Sequence, residues 1–538
     1  MDSTIRRVEQ EILDQEYAKF KILHRDRNLA LGHLLKTAGD IWRDERRSQD
    51  DQQRFTSARF AVMLGGLGHC IRWLTNAATR RIRLPNATWQ ELDQEAREFL
   101  VWGMQYHHLT IDHIAWSRNM LQANVDIANQ IIRFFPASNY DELFLLSQQS
   151  DEQRLLEELH NQLPADLLRQ DFVHWRRYFK VVNGGFDFAQ DMVRQLASFP
   201  KIVRWLEASV LPDVGANEDL GGFSLDEFRY FFAALFMNCN FWMWVEDGYD
   251  DLFGSEHDFG SSMLTLPQPA LMRWLQRMSA LRLESVKAIV SALTYDTSNP
   301  HASLTNQPFV RSSNGRLFLL PRLVALSNPG RMLVGAMNKG AGRRIYERLI
   351  EGQSSIALSR LARAFQVAGF EVWQEKKIQG DRGPLTPDLI VFDKRHRELL
   401  IADYKHSLSP VGPSETIYKL RELEKGLGQI RGYLAAMTNP TNWPPEIQAS
   451  GVNTIMGVLI FGYPMAIPMG TDAEIAVVNR PTLHEYLAKS SPAALSAVVD
   501  WVRTRPELGF RLGMLREHHL SIKVSDWTYV RSVFVPNE

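Results

Sequence analysis

The sequence predicts a multidomain protein of the α + α/β class, in which a large all-α N-terminal region is followed by a mixed sheet flanked by helices. Helical periodicity of apolar residues runs through residues 1–295, with hardly any strand pattern. Apolar runs of strand length alternate with helical segments over residues 335–485. A chain of 538 residues is too long for one hydrophobic core, so roughly two or three domains are expected.

The N-terminal region is predicted to contain helices separated by proline and glycine turns. One of them begins at the capping box Ser224 to Glu227 and continues into the apolar run Tyr230 to Val245. That run is shorter than a membrane span and contains Asn238 and Asn240, so a buried helix is expected. Further helices are predicted over residues 89–116, 140–160, 168–181 and 272–293.

A connector over residues 296–334 follows. Asn314-Gly315 lies between two strand-like runs there, which predicts a β-hairpin. The next region, residues 335–485, is predicted to form its own domain, and residues 486–538 a C-terminal appendage of a helix and a strand. Within these regions the patterns predict helices at 340–368, 414–437 and 482–502, and strands at 370–378, 455–461, 473–478 and 520–535.

Two short apolar runs with acids at their far ends form the main candidate site. Pro387-Asp388 opens the first run, and Asp403-Tyr404-Lys405 ends the second. A chain that reverses midway between the runs places Asp388 directly opposite Asp403, with Cβ atoms roughly 5 Å apart. Lys405 follows Asp403 by two residues, so it projects on the same face. Two carboxylates and one amine therefore converge.

Two carboxylates at this separation resist joint ionisation unless a cation neutralises them. The ligand atoms are oxygens, no cysteine is near, and His406 lies on the opposite face from Lys405, so Mg²⁺ or Mn²⁺ is favoured over zinc. Such an ion promotes phosphoryl chemistry. The alternative, on these residues alone, is a buried β-hairpin whose acids only cap its ends.

These residues resemble the PD-(D/E)XK nuclease superfamily, which has the restriction-endonuclease-like fold. The resemblance implies that Asp388 and Asp403 bind the metal, that Tyr404 offers its backbone carbonyl, and that Lys405 acts on the nucleophilic water. It also implies a further acid from a preceding helix. Glu347 and Glu351 are the candidates, and Glu347 is preferred because Gly342 and Tyr346 precede it.

Downstream, Gln429 and Tyr433 lie one turn apart beside the apolar stripe of the 414–437 helix. A Gln-x-x-x-Tyr pair after Asp-Tyr-Lys resembles the RecB-like branch, in which the pair borders the active site and helps to bind the nucleic-acid strand. The resemblance covers about residues 335–480. It implies a Mg²⁺-dependent nuclease, with DNA favoured, and by fold-level analogy a bacterial antiviral-defence or DNA-processing effector.

Two other readings stay open. The nuclease fold can be kept as a catalytically silent nucleic-acid-binding or scaffolding protein, although no acid or lysine of the motif is missing. The helical half also contains His107, His108, Asp112 and His113. Spacing fixes no third ligand for them, which favours an ordinary helix over a metal site.

Composition sets the remaining expectations. The net charge is −1, so general attraction to polyanions is not expected, although residues 339–437 carry 17 Lys and Arg against 12 Asp and Glu. The two cysteines, the lack of a signal-peptide pattern and the lack of a membrane span favour a cytoplasmic protein. The helical region is expected to provide substrate choice, regulation, or assembly with a protein partner or as a homo-oligomer.

Overall fold

The chain divides by its internal contacts into two compact units. The first comprises Met1–Thr110, Leu156–Glu347 and Val524–Asp526, and the second comprises Ile111–Leu155, Arg348–Lys523 and Trp527–Glu538. The computed structural model describes residues 2–47, 57–77, 87–117, 121–136, 165–175, 180–182, 185–187, 190–210, 217–247, 263–299, 302–337, 341–380, 383–406, 412–448, 451–462, 475–490, 492–504 and 515–536.

Helices make up most of the described residues of the N-terminal half and recur through the C-terminal half. In chain order they are α1 (Asp2–Val8), α2 (Asp14–Glu16), α3 (Arg27–Arg47), α4 (Ser57–Ala77), α5 (Trp89–Ser117), α6 (Ala165–Trp175), α7 (Phe199–Ser209), α8 (Leu225–Asp247), α9 (Gln268–Ser279), α10 (Leu283–Ala292), α11 (Pro321–Leu326), α12 (Pro329–Met337), α13 (Ala341–Val367), α14 (Gly412–Met437), α15 (Pro445–Gln448), α16 (Arg480–Ser490) and α17 (Leu495–Thr504). A π-helical turn at Glu9–Leu13 and 3₁₀ turns at Tyr17–Lys19, Lys21–His24, Gln190–Gln195 and Pro440–Asn442 complete this set.

The longest described strands lie in the second half of the chain. They are β1 (Leu121–Asp126), β2 (Ile131–Pro136), β3 (Lys180–Val182), β4 (Gly185–Asp187), β5 (Leu264–Pro267), β6 (Phe309–Arg311), β7 (Arg316–Leu319), β8 (Glu371–Gln374), β9 (Ile378–Gly380), β10 (Gly383–Leu385), β11 (Leu389–Asp393), β12 (Glu398–Lys405), β13 (Thr454–Phe461), β14 (Ile475–Asn479), β15 (Leu515–Val524) and β16 (Trp527–Pro536).

The first unit is mainly helical. One of its cores joins α3, α4 and α5 through residues such as Leu34, Leu67 and Phe99, each with no exposed surface. The predicted capping box starts α8: the Ser224 N–H donates to Glu227 Oε2 at 2.8 Å, and the Glu227 N–H donates to Ser224 Oγ at 3.1 Å. The start of α8 is therefore fixed by hydrogen bonds between residues that are close in the sequence.

The hairpin predicted at Asn314-Gly315 is confirmed. Strands β6 and β7 pair antiparallel, Gly315 has a φ of 77°, and β5 adds to the other edge of β7. A positive φ at this turn is favourable for glycine. Together the three strands form a small sheet in the order β5-β7-β6.

The second unit is built on a five-stranded mixed sheet in the order β14-β13-β12-β11-β8. Strands β8, β11 and β12 are antiparallel neighbours, whereas β12, β13 and β14 run parallel. Helix α14 makes the crossover from β12 to β13. The carboxyl ends of the three parallel strands consequently lie at one edge of the sheet.

Helices cover both faces of this sheet. On one face, α13, α16 and α17 pack against a core that includes Leu400, Ala402 and Tyr404. On the other, α14 packs against Ile401, Leu459 and their neighbours. Both faces of β11 and β12 are buried, as their continuous apolar runs predicted. Their adjoining acids are therefore held at the end of a rigid layer.

The expectation that residues 1–295 contain hardly any strand is wrong. Besides β3, β4 and β5, the hairpin β1-β2 lies in this range and pairs through β2 with β16, in the sheet order β1-β2-β16-β15. Its alternation at Leu121, Ala123, Ile132 and Phe134 is the signal that helical periodicity obscured. The extended character predicted for residues 520–535 is confirmed by β15 and β16.

Some predicted helices are interrupted. The 272–293 segment forms α9 and α10, separated at Ala280, whose φ is 57°. The 482–502 segment forms α16 and α17, and the 168–181 segment ends as a helix at Trp175 and continues as β3. The predicted strand 370–378 likewise stops after Gln374, where Glu375 has a φ of 49°. The helix predicted over 140–160 lies outside the described residues.

Candidate active site

The register of the β11-β12 hairpin is the predicted one. Leu389 pairs with Ala402, which places Asp388 opposite Asp403. The turn is fixed by Asp393, whose Oδ1 accepts the N–H groups of Arg395 at 2.9 Å and His396 at 3.2 Å. The other oxygen of Asp393 lies 2.7 Å from His396 Nδ1. Because a turn of fixed length sets the pairing, the acids at the far ends meet.

Asp388 is tied to the neighbouring strand. Its Oδ2 accepts a hydrogen bond of 2.6 Å from the backbone N–H of Tyr404, and its carbonyl oxygen accepts one of 3.0 Å from the N–H of Glu375. The preceding Pro387 is buried. These contacts fix both the backbone and one carboxylate oxygen of Asp388.

Asp403 and Lys405 lie on one face of β12, as predicted. Lys405 Nζ is 2.6 Å from Asp403 Oδ2, and the side chain of Asp403 is only 4% exposed. The contact is an ion pair between the lysine ammonium and a buried carboxylate oxygen. A buried carboxylate oxygen in this condition suits a cation.

The charges of the site act on one another. Burial raises the pKa of Asp388 from its usual 3.8 to about 6; the Tyr404 N–H opposes this shift, the neighbouring Asp403 carboxylate adds to it, and Lys405 opposes it. The two carboxyl groups are close enough to share a hydrogen bond when one is protonated. Joint ionisation is therefore costly unless more positive charge is brought to the pair.

Gln429 contacts the lysine directly. Its Oε1 accepts a hydrogen bond of 2.7 Å from Lys405 Nζ. Helix α14 comes close enough for this contact because Gly426 has no side chain: a Cβ there would lie 2.7 Å from Leu459 Cδ1 and 3.4 Å from Lys405 Cε. The sequence predicted that Gln429 borders the site but not this contact. Glycine one turn before Gln429 was the available signal.

Tyr433 is the second member of the predicted pair. Its hydroxyl lies 3.4 Å from the carbonyl oxygen of Thr386, to which it donates, and its side chain is buried. Burial raises the pKa of Tyr433 to about 12, and the charges of Asp403 and Asp388 add to the shift. Tyr433 is thus a neutral hydrogen-bond donor beside the acidic pair, and it anchors the segment that leads into Asp388.

The third acid stays a prediction. Glu347 lies on α13 with an exposed side chain, and the side chain of Glu351 lies outside the described residues. Within the described ranges, no three side chains of His, Cys, Asp or Glu gather closely enough to hold a metal ion. The oxygen donors that the geometry offers are therefore the carboxylates of Asp388 and Asp403, beside the backbone of Tyr404.

The histidine group on α5 makes separate contacts with other parts of the chain. Asp112 is buried and its Oδ1 lies 2.6 Å from Arg531 Nη1. His107 Nδ1 lies 3.4 Å from His69 Nε2 on α4, a partner that the sequence did not suggest. His69 and His107 form a half-buried pair of rings, packed where Gly65 leaves room for the imidazole of His107.

Comparison of the chain with protein-family models, curated proteins and solved structures gave no match. The arrangement at the end of β12 therefore has to be interpreted from its own geometry. As for membranes, none of the helices within the described ranges has the length and apolar character needed to span one.

Proposed function

We propose that the protein is a Mg²⁺-dependent nuclease with a restriction-endonuclease-like domain, and that Asp388, Asp403 and Lys405 form its active site. The observation that carries the proposal is the meeting of these three side chains at one end of β11 and β12, on one face, with Lys405 Nζ 2.6 Å from Asp403. This is the arrangement expected from the resemblance to PD-(D/E)XK nucleases.

The architecture around the site supports the same conclusion. A mixed sheet contains an antiparallel hairpin that carries the acids, and a helical crossover from β12 to β13 that carries Gln429. Acid, lysine and glutamine thus come from three successive elements that pack on one another. Such packing gives the rigidity that a catalytic site needs.

The acidic pair fits a hard divalent cation. Its donors are all oxygens, the buried Asp403 Oδ2 already lies 2.6 Å from one cation, the ammonium of Lys405, and burial disfavours joint ionisation of the two carboxyl groups. Asp388 and Asp403 would hold the ion, Tyr404 would add its carbonyl oxygen, and Glu347 is the proposed further acid. When bound, Mg²⁺ or Mn²⁺ supplies an activated water and stabilises negative charge on phosphate.

Lys405 is proposed to act on the nucleophilic water or on the phosphate. Its ammonium group carries the positive charge nearest to the acids, and it holds a water-sized ligand or a phosphate oxygen by donating a hydrogen bond. Gln429 fixes the direction of that ammonium. The tight pairing of Lys405 with Asp403 also means that a cation entering the site competes with the lysine for the same carboxylate oxygen.

The proposed substrate is nucleic acid, with DNA favoured. The helical first unit is proposed to provide substrate choice, assembly or regulation, because its described core is separate from the sheet that carries the acids. A substrate that contains phosphate fits the chemistry of the site, in which a divalent cation and a lysine would both recognise phosphate.

Cleavage of a panel of single- and double-stranded DNA and RNA, with Mg²⁺ or with EDTA, tests the proposal. Asp403→Asn and Lys405→Met keep the side-chain size, and each is expected to lower the rate by more than about 100-fold, since even outer-shell partners of a metal cost 10–100-fold. Glu371→Gln, an exposed acid on β8, is the matched control. Equal cleavage by all four proteins would refute the assignment.

A further inference from the structure

The three parallel strands end side by side. Lys405 pairs with Phe461, and Phe461 pairs with Asn479. The ladder continues one residue further, because the N–H of Gly462 donates to the carbonyl oxygen of Lys405 at 2.9 Å. The next row across the strand ends therefore consists of His406, Gly462 and Arg480, on the opposite face from Asp403 and Lys405.

Glycine at the centre of this row leaves space for a hydroxyl group. A Cβ at position 462 would lie 2.6 Å from the Tyr404 hydroxyl oxygen and 3.3 Å from His406 Nδ1. The Tyr404 hydroxyl occupies that space and shares a hydrogen bond of 3.1 Å with His406 Nδ1. The ring of Tyr404 is buried in the core beneath. The Tyr404 hydroxyl is thus a polar group at the border of an apolar core, between the ends of β12 and β13.

Arg480 completes the row. Its Nε is buried and has no hydrogen-bond partner among the described residues. Burial raises the pKa of Tyr404 to about 12, and the positive charge of Arg480 acts in the opposite direction. The position is set by Asn479, whose Oδ1 accepts the N–H of Thr482 at 2.9 Å and starts α16.

An unpaired, buried guanidinium nitrogen costs free energy unless a ligand satisfies it. The groups on this row are a guanidinium, which only donates hydrogen bonds, and an imidazole and a hydroxyl, which share one hydrogen bond and, with a neutral imidazole, keep one further donor between them. Arginine has the planar fork that matches phosphate oxygens. The donor set therefore selects an anion with several oxygens rather than a cation.

We propose that Arg480, His406 and the hydroxyl of Tyr404 form a second phosphate-binding subsite, which holds a non-scissile phosphate of the nucleic-acid strand. The inference rests on the proposed nuclease function and names the part of the chain that positions its substrate. Residues 403 to 406 alternate between the two faces of one strand end, so a nucleic-acid strand crossing this edge meets Asp403 and Lys405 on one face and the subsite on the other.

Binding of a fluorescein-labelled single-stranded oligonucleotide, measured by anisotropy with Ca²⁺ in place of Mg²⁺, tests the subsite. Arg480→Gln is expected to weaken binding about tenfold, the cost of one charge-assisted contact. It is also expected to reduce the slope of log affinity against log salt by about 0.7, the value for one phosphate of a single strand. Tyr404→Phe, which keeps the ring, should weaken binding less.

Arg395→Gln is the matched control, because it removes an exposed arginine at the other end of the β11-β12 hairpin. It is expected to leave the slope unchanged. If Arg480→Gln binds like the wild type, or if Arg395→Gln lowers the slope equally, the subsite is refuted while the nuclease proposal stands. If the wild type binds no oligonucleotide under any of these conditions, the proposed function itself fails.

Discussion

The ammonium group of Lys405 donates a hydrogen bond of 2.7 Å to the side-chain carbonyl of Gln429. The same ammonium lies 2.6 Å from Asp403. Lys405 is therefore held from two sides, by its own strand and by helix α14. A side chain with four rotatable bonds loses its freedom in this way before a substrate arrives, which lowers the entropic cost of positioning it for reaction.

Gln429→Met is expected to lower kcat about 10- to 100-fold with a smaller change in KM, because it releases Lys405 without removing it. Gln429→Glu keeps an oxygen acceptor and should recover part of kcat. Steady-state kinetics on the preferred oligonucleotide measures both. Lys425→Met, an exposed change one turn earlier on α14, should be neutral. A change confined to KM would instead assign Gln429 to strand binding alone.

Gly426→Ala is expected to destabilise the protein and to slow cleavage. The added methyl group would lie 2.7 Å from Leu459 Cδ1, and Leu459 is fully buried, so α14 has to move away from β13 and from Lys405. Gly428→Ala is the matched control on the same helix, since no atom lies within 4 Å of a Cβ there. It should stabilise the protein by about 1 kcal/mol through helix propensity.

Urea denaturation followed by circular dichroism compares the two alanine variants. The expected difference between them is about 1–3 kcal/mol in the free energy of unfolding, the usual cost of overpacking a core. If Gly426→Ala is as stable as Gly428→Ala and cuts as fast as the wild type, the close approach of the helix does not matter for Lys405.

The site could be predicted from the sequence to the extent that its contacts are local. Asp388, Asp403 and Lys405 belong to one hairpin, and the length of its turn fixes which residues face each other. The side-chain period of two then puts Lys405 with Asp403. Neither step needs information from a distant part of the chain.

The contacts that were not predicted depend on how separate elements pack. Gln429 meets Lys405 only because Gly426 allows close packing, and Arg480 joins Tyr404 only through the register of β12, β13 and β14. The pairing of β2 with β16 likewise joins strands far apart in the sequence. The break between α9 and α10 occurs at an alanine, with no glycine or proline to mark it.

Acid is expected to destabilise the first unit through His69 and His107. Burial lowers the pKa of His69 from 6.5 to about 3, helped by His107 and Arg72, and burial lowers the pKa of His107 to about 4, helped by His108 and Arg72. The unfolded chain binds protons first as the pH falls below 6.5. Stability is therefore complete above that pH and is lost towards the folded pKa values.

Between about pH 7 and about pH 5 the loss should be about 2 kcal/mol for each of these histidines. Urea denaturation of the wild type, His69→Gln and His107→Gln at the two pH values measures it, and each variant should lose less on acidification than the wild type. His484 is exposed, so His484→Gln should lose as much stability on acidification as the wild type. If all four proteins lose the same free energy of unfolding, His69 and His107 are not the acid-sensitive groups.

Mg²⁺ is expected to raise the thermal stability of the protein, and Asp388→Asn to remove that rise. The folded protein holds the half-buried carboxylate of Asp388 opposite the buried carboxylate of Asp403, which the unfolded chain does not, so an ion that binds between them stabilises the folded state alone. At a concentration 100 times the Kd, the gain in the free energy of unfolding is about 2.7 kcal/mol.

In Asp388→Asn, asparagine still accepts the Tyr404 N–H, so the variant is expected to fold. Glu371→Gln should keep the full response to Mg²⁺, and a response retained by Asp388→Asn would place the ion elsewhere.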